Sequence, residues 1–331
     1  MRVTLKDVAA AAGVSPATAS RVLRGTFSGA VEVRDRVIAA VETTGYRPNP
    51  ASRIMRTGRT AAIAVVVDDL AGPWSAGMLE AIAKECVERQ LLVALWSMRH
   101  LDEESLAKAV SSHAVDGVVW LAATVPVPAG LVGLPTVVVG STSSGTADVV
   151  ELDHKHDMSA VARKFADSTR LNVAVVGDLD QAPERVDAFQ VAVRTFDLRL
   201  DRRLVIAVED SVDGGRSAVA DVVSRRVPDA VLALSDPVAV GLVDGLRAIG
   251  FASPRHLWVV SHGGSLVAAL DPYQITTLTP DVTTIAAEVL ELLTRRIDDP
   301  TAESRRVTVR SRWVERLTTA DPLSVVAGRS T

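Results

Sequence analysis

Apolar residues recur at helical spacing through the first sixty positions, then give way to short continuous apolar runs separated by longer amphipathic stretches. Thr4-Leu5-Lys6-Asp7 reads as a capping box, in which the Thr4 hydroxyl accepts an orphan backbone N–H and Asp7 reaches back. The helix it opens is predicted to run from Leu5 to about Ala12 and to stop at Gly13, which tolerates the left-handed conformation of a sharp turn. Ser15 is a strong N-cap and Pro16 suits the first helical position, so a second helix follows to about Leu23. Ala9, Val14 and Val22 are expected to pack the two helices together as a helix-turn-helix. A third helix is predicted from about Val31 to Thr44, with Val33, Val37, Ile38 and Val41 apolar. Gly45 ends it, and Tyr46-Arg47-Pro48-Asn49-Pro50 forbids its continuation.

Beyond Thr60 the pattern alternates between strands and helices. Ala62–Val67, Leu91–Trp96, Gly117–Leu121 and Thr136–Gly140 read as strands, with helices over Trp74–Gln90 and Glu103–Ser112. A second series follows at Asn172–Gly177, Ala230–Leu234 and Trp258–Val260. Apolar strands joined by helical crossovers imply parallel sheets covered on both faces, and two such blocks imply two lobes.

Charge sharpens the division. Residues 1–60 hold ten basic against four acidic side chains, a local charge of +6 in a chain whose net charge is −4, so the remainder carries −10. A basic head on an acidic body suits a phosphate-binding module joined to a domain that avoids DNA. Cys86 is the only cysteine, which excludes an intrachain disulfide framework and a thiolate zinc site. Asp7 stands where a signal peptide would place its apolar core, and no apolar run nears the ~18 residues of a membrane helix. A cytoplasmic protein without membrane attachment is expected.

The head closely resembles the LacI family of bacterial regulators. The likeness rests on Thr4-Leu5-Lys6-Asp7-Val8-Ala9, Ala12-Gly13-Val14-Ser15, Ser20-Arg21-Val22-Leu23, Gly45-Tyr46-Arg47-Pro48-Asn49 and Ser52-Arg53-Ile54-Met55-Arg56. It implies that the second helix enters the major groove with Pro16, Ala17, Ser20 and Arg21 facing base edges. Arg21 is suited to guanine O6 and N7, a bidentate contact worth ~1–3 kcal/mol of discrimination. Ser15, Thr18, Tyr46 and Asn49 are candidate DNA contacts of the positioning kind, which hold phosphates without reading sequence, and Thr4 and Ser52 are further candidate DNA contacts. For Thr18 and Tyr46, capping and core packing stand as an equal alternative. Residues 47–59 resemble the family's hinge, in which Met55 would wedge between central base pairs and kink the duplex. One departure is the poor cap of the third helix, Gly29-Ala30, where the family usually has Ser or Thr.

The resemblance continues more loosely through the body and implies a periplasmic-binding-protein-like pair of lobes with a ligand between them, at the carboxyl ends of the strands. Trp74 matches an aromatic that often stacks on the effector, Arg185 the arginine of R-x-x-G-F, and Ser235-Asp236 a usual Asn-Asp; Ile275–Leu278 matches a strand crossing between lobes. The family commonly has two aspartates after the late strand, whereas this chain reads Val260-Ser261-His262-Gly263-Gly264. An unpaired hydroxyl in a dry cleft costs ~1–3 kcal/mol, so a simple neutral hexose is not the expected effector. Arg185 and His262 favour an anionic or acceptor-rich group instead. Trp120 is either a second stacking face or core, and His262 either a ligand contact or packing.

Asp153-His154-Lys155-His156-Asp157 contains metal-binding residue types, but Lys155 adds repulsion and a solvated helix start accounts for the segment better. Val176-Gly177-Asp178 is no dinucleotide fingerprint. Neither an enzyme nor a transported-sugar receptor explains the basic head. The expectation is an all-α helix-turn-helix head (1–46), a hinge (47–59) and an α/β two-lobed body with parallel sheets (60–331). The function expected is a non-enzymatic, DNA-binding transcription regulator, by the family's habit a repressor. It would act as a homodimer on a palindromic double-stranded operator, without cofactor or metal and under control of a small-molecule effector.

Overall fold

The computed structural model describes residues 3–47, 54, 57–70, 72–100, 102–112, 115–122, 126–131, 133–140, 147–224 and 226–320. The candidate DNA contacts Asn49, Ser52 and Met55, and with them most of the hinge, lie outside the described residues. The chain divides into two compact units, Met1–Thr60 and Ala61–Thr331.

In the first unit α1 (Leu5–Ala12), α2 (Pro16–Leu23) and α3 (Val31–Thr44) enclose a small core of Val8, Ala9, Ala12, Ala19, Val22, Val37 and Ala40. The Asp7 carboxylate receives both the Thr4 N–H and the Thr4 hydroxyl at 2.8 Å, which fixes the first turn of α1. These bonds, the backbone one first, also hold the Asp7 carboxyl below its ordinary range. Gly13 takes φ +63°, where a Cβ would be strained, and turns the chain into α2. Ser15 caps α2 by accepting the Thr18 N–H at 3.1 Å. Among the described residues no side chain caps α3, in keeping with Gly29-Ala30 at its start. Of the apolar residues noted on α3, Val37 is fully buried and Ile38 is 45% exposed; Ala40 is buried as well.

The second unit holds two six-stranded sheets. β1 (Ala62–Val67), β2 (Leu92–Ser97), β3 (Gly117–Trp120), β4 (Thr136–Val139), β5 (Asp148–Leu152) and β11 (Arg306–Val309) form the first, in the order β11-β5-β4-β3-β1-β2 with every pairing parallel. The second comprises β6 (Asn172–Gly177), β7 (Arg199–Ala207), β8 (Ala230–Ala233), β9 (Trp258–His262), β10 (Thr276–Pro280) and β12 (Ser311–Val314). Its order is β12-β10-β9-β8-β6-β7, with β12 antiparallel and the rest parallel. The strands are not all buried on both faces: β2 is an edge strand on which Leu92, Val93 and Leu95 stay exposed.

Helices cover both sheets. α4 (Pro73–Glu88) and α12 (Val282–Asp298) pack one face of the first sheet, α12 through Ile285, Ala286, Val289, Leu290 and Leu293, a stripe at i, i+1, i+4, i+5 and i+8. α5 (Glu103–Ser112) brings Leu106 and Val110 against the other face, around Trp120. Trp120 is fully buried and donates its indole N–H to Ala122 O at 2.9 Å, so it is core and not a stacking face. α6 (His154–Asp167) and α7 (Pro183–Thr195) cover one face of the second sheet. The other face carries α8 (Val212–Ser217), α9 (Val219–Val223), α10 (Asp236–Ala248) and the short α11 (Leu266–Ala269). α8 and α10 touch through glycines: a Cβ on Gly241 would lie 1.9 Å from Val212 O.

The chain passes between the lobes three times, from β5 into α6, from β10 into α12 and from β11 into β12. Two of these crossings are tied together. Asp157 on α6 accepts the Ser311 N–H at 3.1 Å and its hydroxyl at 2.5 Å, and the Asp153 N–H donates to Val309 O at 3.0 Å. The first lobe is closed by fully buried Asp148, which accepts from Arg295 and Arg296 at the end of α12, each at 2.9 Å, and from the Arg305 N–H at 2.7 Å.

Candidate functional site

On α2, Ala19 and Val22 turn into the core, while Pro16, Ala17 and Arg21 are exposed and Ser20 is half-buried on the opposite side. The packing of one face thus leaves the other free for an outside surface. Ser15 and Thr18 hydrogen-bond each other through their hydroxyls at 2.9 Å, so their first role is to hold the start of α2. Tyr46 packs half-buried against the head core. Thr4 is exposed at the start of α1.

In the body, the candidate effector residues gather at the carboxyl ends of the second sheet's strands, with one exception. Trp74 stands at the start of α4 in the other lobe, half-buried against that lobe's core. Arg185 on α7 donates from Nη1 to Leu234 O at 2.8 Å, just past β8, and to Nδ1 of His262 at 3.2 Å, at the end of β9. An arginine only donates, so His262 Nδ1 accepts and its neutral tautomer carries the proton on Nε2. That Nε2 lies 3.9 Å from Asp157 Oδ2, long for a hydrogen bond, and has no protein partner among the described residues. Burial holds the Arg185 guanidinium below its ordinary pKa, with Asp210 acting in the opposite direction.

His262 is 5% exposed, and burial keeps its pKa below normal against the pull of Asp157. His154, whose ring centroid lies 6.1 Å from that of His262, is pushed down to about 4 by burial and then by the neighbouring His262 and Arg185. Asp157 is fully buried; burial alone would raise its pKa, but His262 and Ser311 outweigh burial and hold it low. The segment 153–157 is therefore not simply a solvated helix start. Lys155 and His156 face water, while His154 and Asp157, three residues apart on one helical face, turn inward to Arg185 and His262. Among the described residues no group of three or more His, Cys, Asp or Glu is arranged to hold a metal ion.

Ser235 caps α10, accepting the Val238 N–H at 3.4 Å and donating to Asp210. Asp236 is 2% exposed and already engaged, accepting from Ser261 Oγ at 2.5 Å and from the Ser265 N–H at 2.6 Å. Its carboxylate shapes the loop after β9 rather than standing free. Gly263 and Gly264 begin that loop, and a Cβ on Gly264 (φ +78°) would lie 2.2 Å from Thr279 Cγ2. Thr279 thus occupies the space that a side chain at 264 would need. Around this loop, His154 Nδ1, His262 Nε2, Ser265 Oγ and Thr279 Oγ1 are buried without a protein partner among the described residues. Unpaired buried polar groups cost ~1–3 kcal/mol each, so these atoms call for partners, solvent included, that the described side chains do not supply.

Sequence reasoning passed over Asp210 and misjudged His154 and Asp157. Asp210 was findable, since it follows a strand's carboxyl end, where ligands of α/β folds bind.

The comparisons with known proteins agree with this architecture. Residues 4–49 match the family model described as bacterial regulatory proteins, lacI family, and residues 162–319 match a periplasmic binding protein-like domain. The chain is 27% identical over 332 residues to the HTH-type transcriptional regulator CelR of Thermobifida fusca, covering 95% of this chain and 98% of that relative. A solved CelR–cellobiose complex is similar over 96% of this chain and 100% of its own, with 26% identity and a TM-score of 0.71. The Lac repressor dimer bound to operator and the anti-inducer ONPF shares the fold at a TM-score of 0.81 and 18% identity, covering 97% of this chain and 100% of its own.

Proposed function

The chain belongs to the lacI family of bacterial regulatory proteins, and on that premise we propose that it is a cytoplasmic repressor that binds a near-palindromic operator as a homodimer and is switched by a small molecule between its lobes. The observation that carries the reading is the outward face of α2, with Pro16, Ala17 and Arg21 exposed on a helix anchored by Ala19 and Val22. One such helix makes few base contacts, so selectivity calls for two half-sites about one helical turn apart. Exposed Val87, Leu92 and Leu95 on α4 and β2 offer an apolar surface to a second copy. In this reading residues 1–46 are the head, 47–59 the hinge with Met55 as its wedge, and 60–331 the sensing and dimerising body.

The effector would reach Arg185 and His262, with Ser235 and Asp236 behind them and Trp74 as an apolar wall from the other lobe. Its class is an acceptor-rich or anionic sugar derivative rather than a neutral hexose, because Thr279 fills the space beside Gly264 and leaves no room there for a carboxylate to receive hydroxyls. The CelR relative was solved with cellobiose, so disaccharides belong in the screen. A ligand bridging the lobes alters DNA affinity only by its differential affinity for the two body conformations.

Selection from random DNA, followed by footprinting, tests the head. A protected site of ~14–20 base pairs is expected, and Arg21→Ala should cost ~1–3 kcal/mol and relax one base pair in each half-site. A monomer that protects a single half-site at micromolar concentration refutes the dimer. Calorimetry with neutral and phosphorylated sugars tests the cleft. Tight binding of a neutral hexose, unchanged in Arg185→Ala, refutes the effector assignment.

A further inference from the structure

The edge strand β7 departs from its neighbour's register. Asn172 of β6 pairs with Arg199 and Val173 with Leu200, but Val175 pairs with Val205, so residues 201–204 lie outside the ladder. The displaced segment forms one wall of a groove of about 1220 Å³, between the end of α7 and the end of α9. Five arginines line it: Arg199, Arg202 and Arg203 from β7, Arg194 from α7 and Arg226 from the segment after α9. All five are exposed, and among the described residues none pairs with a carboxylate.

The groove also holds Asp201 and Asp221, but one oxygen of Asp201 is occupied by the Arg203 N–H at 3.0 Å. Charge on an edge strand discourages pairing with another chain, which accounts for Arg202 and Arg203. It does not account for Arg194 and Arg226, which are not on the strand and reach the same groove from either side. Some exposed arginines elsewhere in the body find acids, as Arg216 does with Asp213 and Asp244, and Arg306 with Glu151, while Arg247 donates to Pro272 O and Arg163 lies over the Phe196 ring; the groove differs in gathering five arginines in one place. Five unpaired guanidiniums in a concave site, within a body of net negative charge, form a concentrated anion receptor.

We propose that this groove is a second ligand site, which takes a small molecule bearing a chain of phosphates. Guanidinium forks match phosphate oxygens bidentately, and several of them around one groove match several phosphates. The volume exceeds what a single phosphate fills and is of the order of sites for cofactor-sized ligands, ~300–1000 Å³. The groove lies at the start of β6 and β7, whereas the cleft residues follow the carboxyl ends of the same sheet. Asn172 and Arg199, which line it, begin the two strands, and neither Arg185 nor His262 is among its lining residues. The groove site is thus independent of the cleft and of the effector assigned to it.

The test is calorimetry on the full chain, with sodium tripolyphosphate and with adenosine triphosphate as separate probes, at fixed ionic strength. Wild type, Arg194→Gln/Arg226→Gln, Arg203→Gln, Arg185→Ala and Arg21→Ala are compared, and thermal unfolding verifies that each is folded. Saturable binding at one site per chain is expected, weakened at least tenfold in the double variant and measurably in Arg203→Gln. Binding should be retained in Arg185→Ala and Arg21→Ala, since the cleft and the head are not involved. Tighter binding of the nucleotide identifies a base contribution, and equal binding a site for the phosphate chain alone. No saturable binding to wild type overturns the proposal, as does binding lost with Arg21 or Arg185 but kept in the groove variants. Neither result touches the cleft assignment, which is read with sugars.

Discussion

Gly264→Ala should destabilise the body by a specific route, through Thr279. The new Cβ would lie 2.2 Å from Thr279 Cγ2, 2.6 Å from its Oγ1 and 2.7 Å from its Cβ, against a backbone held at φ +78°. The left-handed backbone contributes about 1–2 kcal/mol for a residue with a Cβ. Overpacking against Thr279 contributes a further ~1–3 kcal/mol. Thr279→Ala removes the two nearest atoms, and one of them, Oγ1, is a buried group without a protein partner, so that change alone should cost little. In the double variant the steric share falls while the backbone share remains, giving a coupling of at least ~1 kcal/mol. All five tryptophans lie beyond residue 60, so urea unfolding followed by tryptophan fluorescence reports the body alone. If Gly264→Ala costs the same with and without the Thr279 side chain, within ~0.5 kcal/mol, Thr279 is not what reserves that space.

Two further predictions concern buried charge. His154 has a folded pKa of about 4 against an ordinary 6.5, so between those values the unfolded chain binds more protons, and stability falls as pH drops through that window. The loss from His154 is capped near 3 kcal/mol by the size of the shift, and its partial exposure makes it smaller; urea midpoints at pH 7.5 and 4.5 should show a shallower decline in His154→Gln, and an identical decline would remove His154 from the account. Asp148→Ala leaves Arg295 and Arg296 without their buried partner and should cost ~3–5 kcal/mol, read as a large fall in the urea midpoint. A loss under 1 kcal/mol would show that these arginines find water instead.

Local chemistry decided what the sequence alone could determine. Thr4, Asp7, Gly13, Ser15 and Pro16 act within a few residues of themselves, through caps and a left-handed turn, so α1 and α2 were legible to their end residues. Buried strands such as β1, β6 and β8 were legible because an apolar run of that length has few other fates. β5, β7, β11 and β12 were not, since edge or lobe-crossing strands mix charged and apolar residues and draw their partners from far along the chain. The same limit governs the site. Arg185 and His262 could be nominated one at a time, but their hydrogen bond spans 77 positions, and the Asp157–Ser311 tie beside His262 spans 154. Asp148 carries no signal in the sequence, Asp157 reads there as part of a solvated helix start, and Asp236 reads as a candidate effector contact and not as a carboxylate that shapes a loop. Each is buried only because the lobes fold its donors around it, and burial with pairing is a property of the tertiary structure. The groove of unpaired arginines arises in the same way: sequence supplied the charges, and the slipped register of β7 between two helices gathered them on one side.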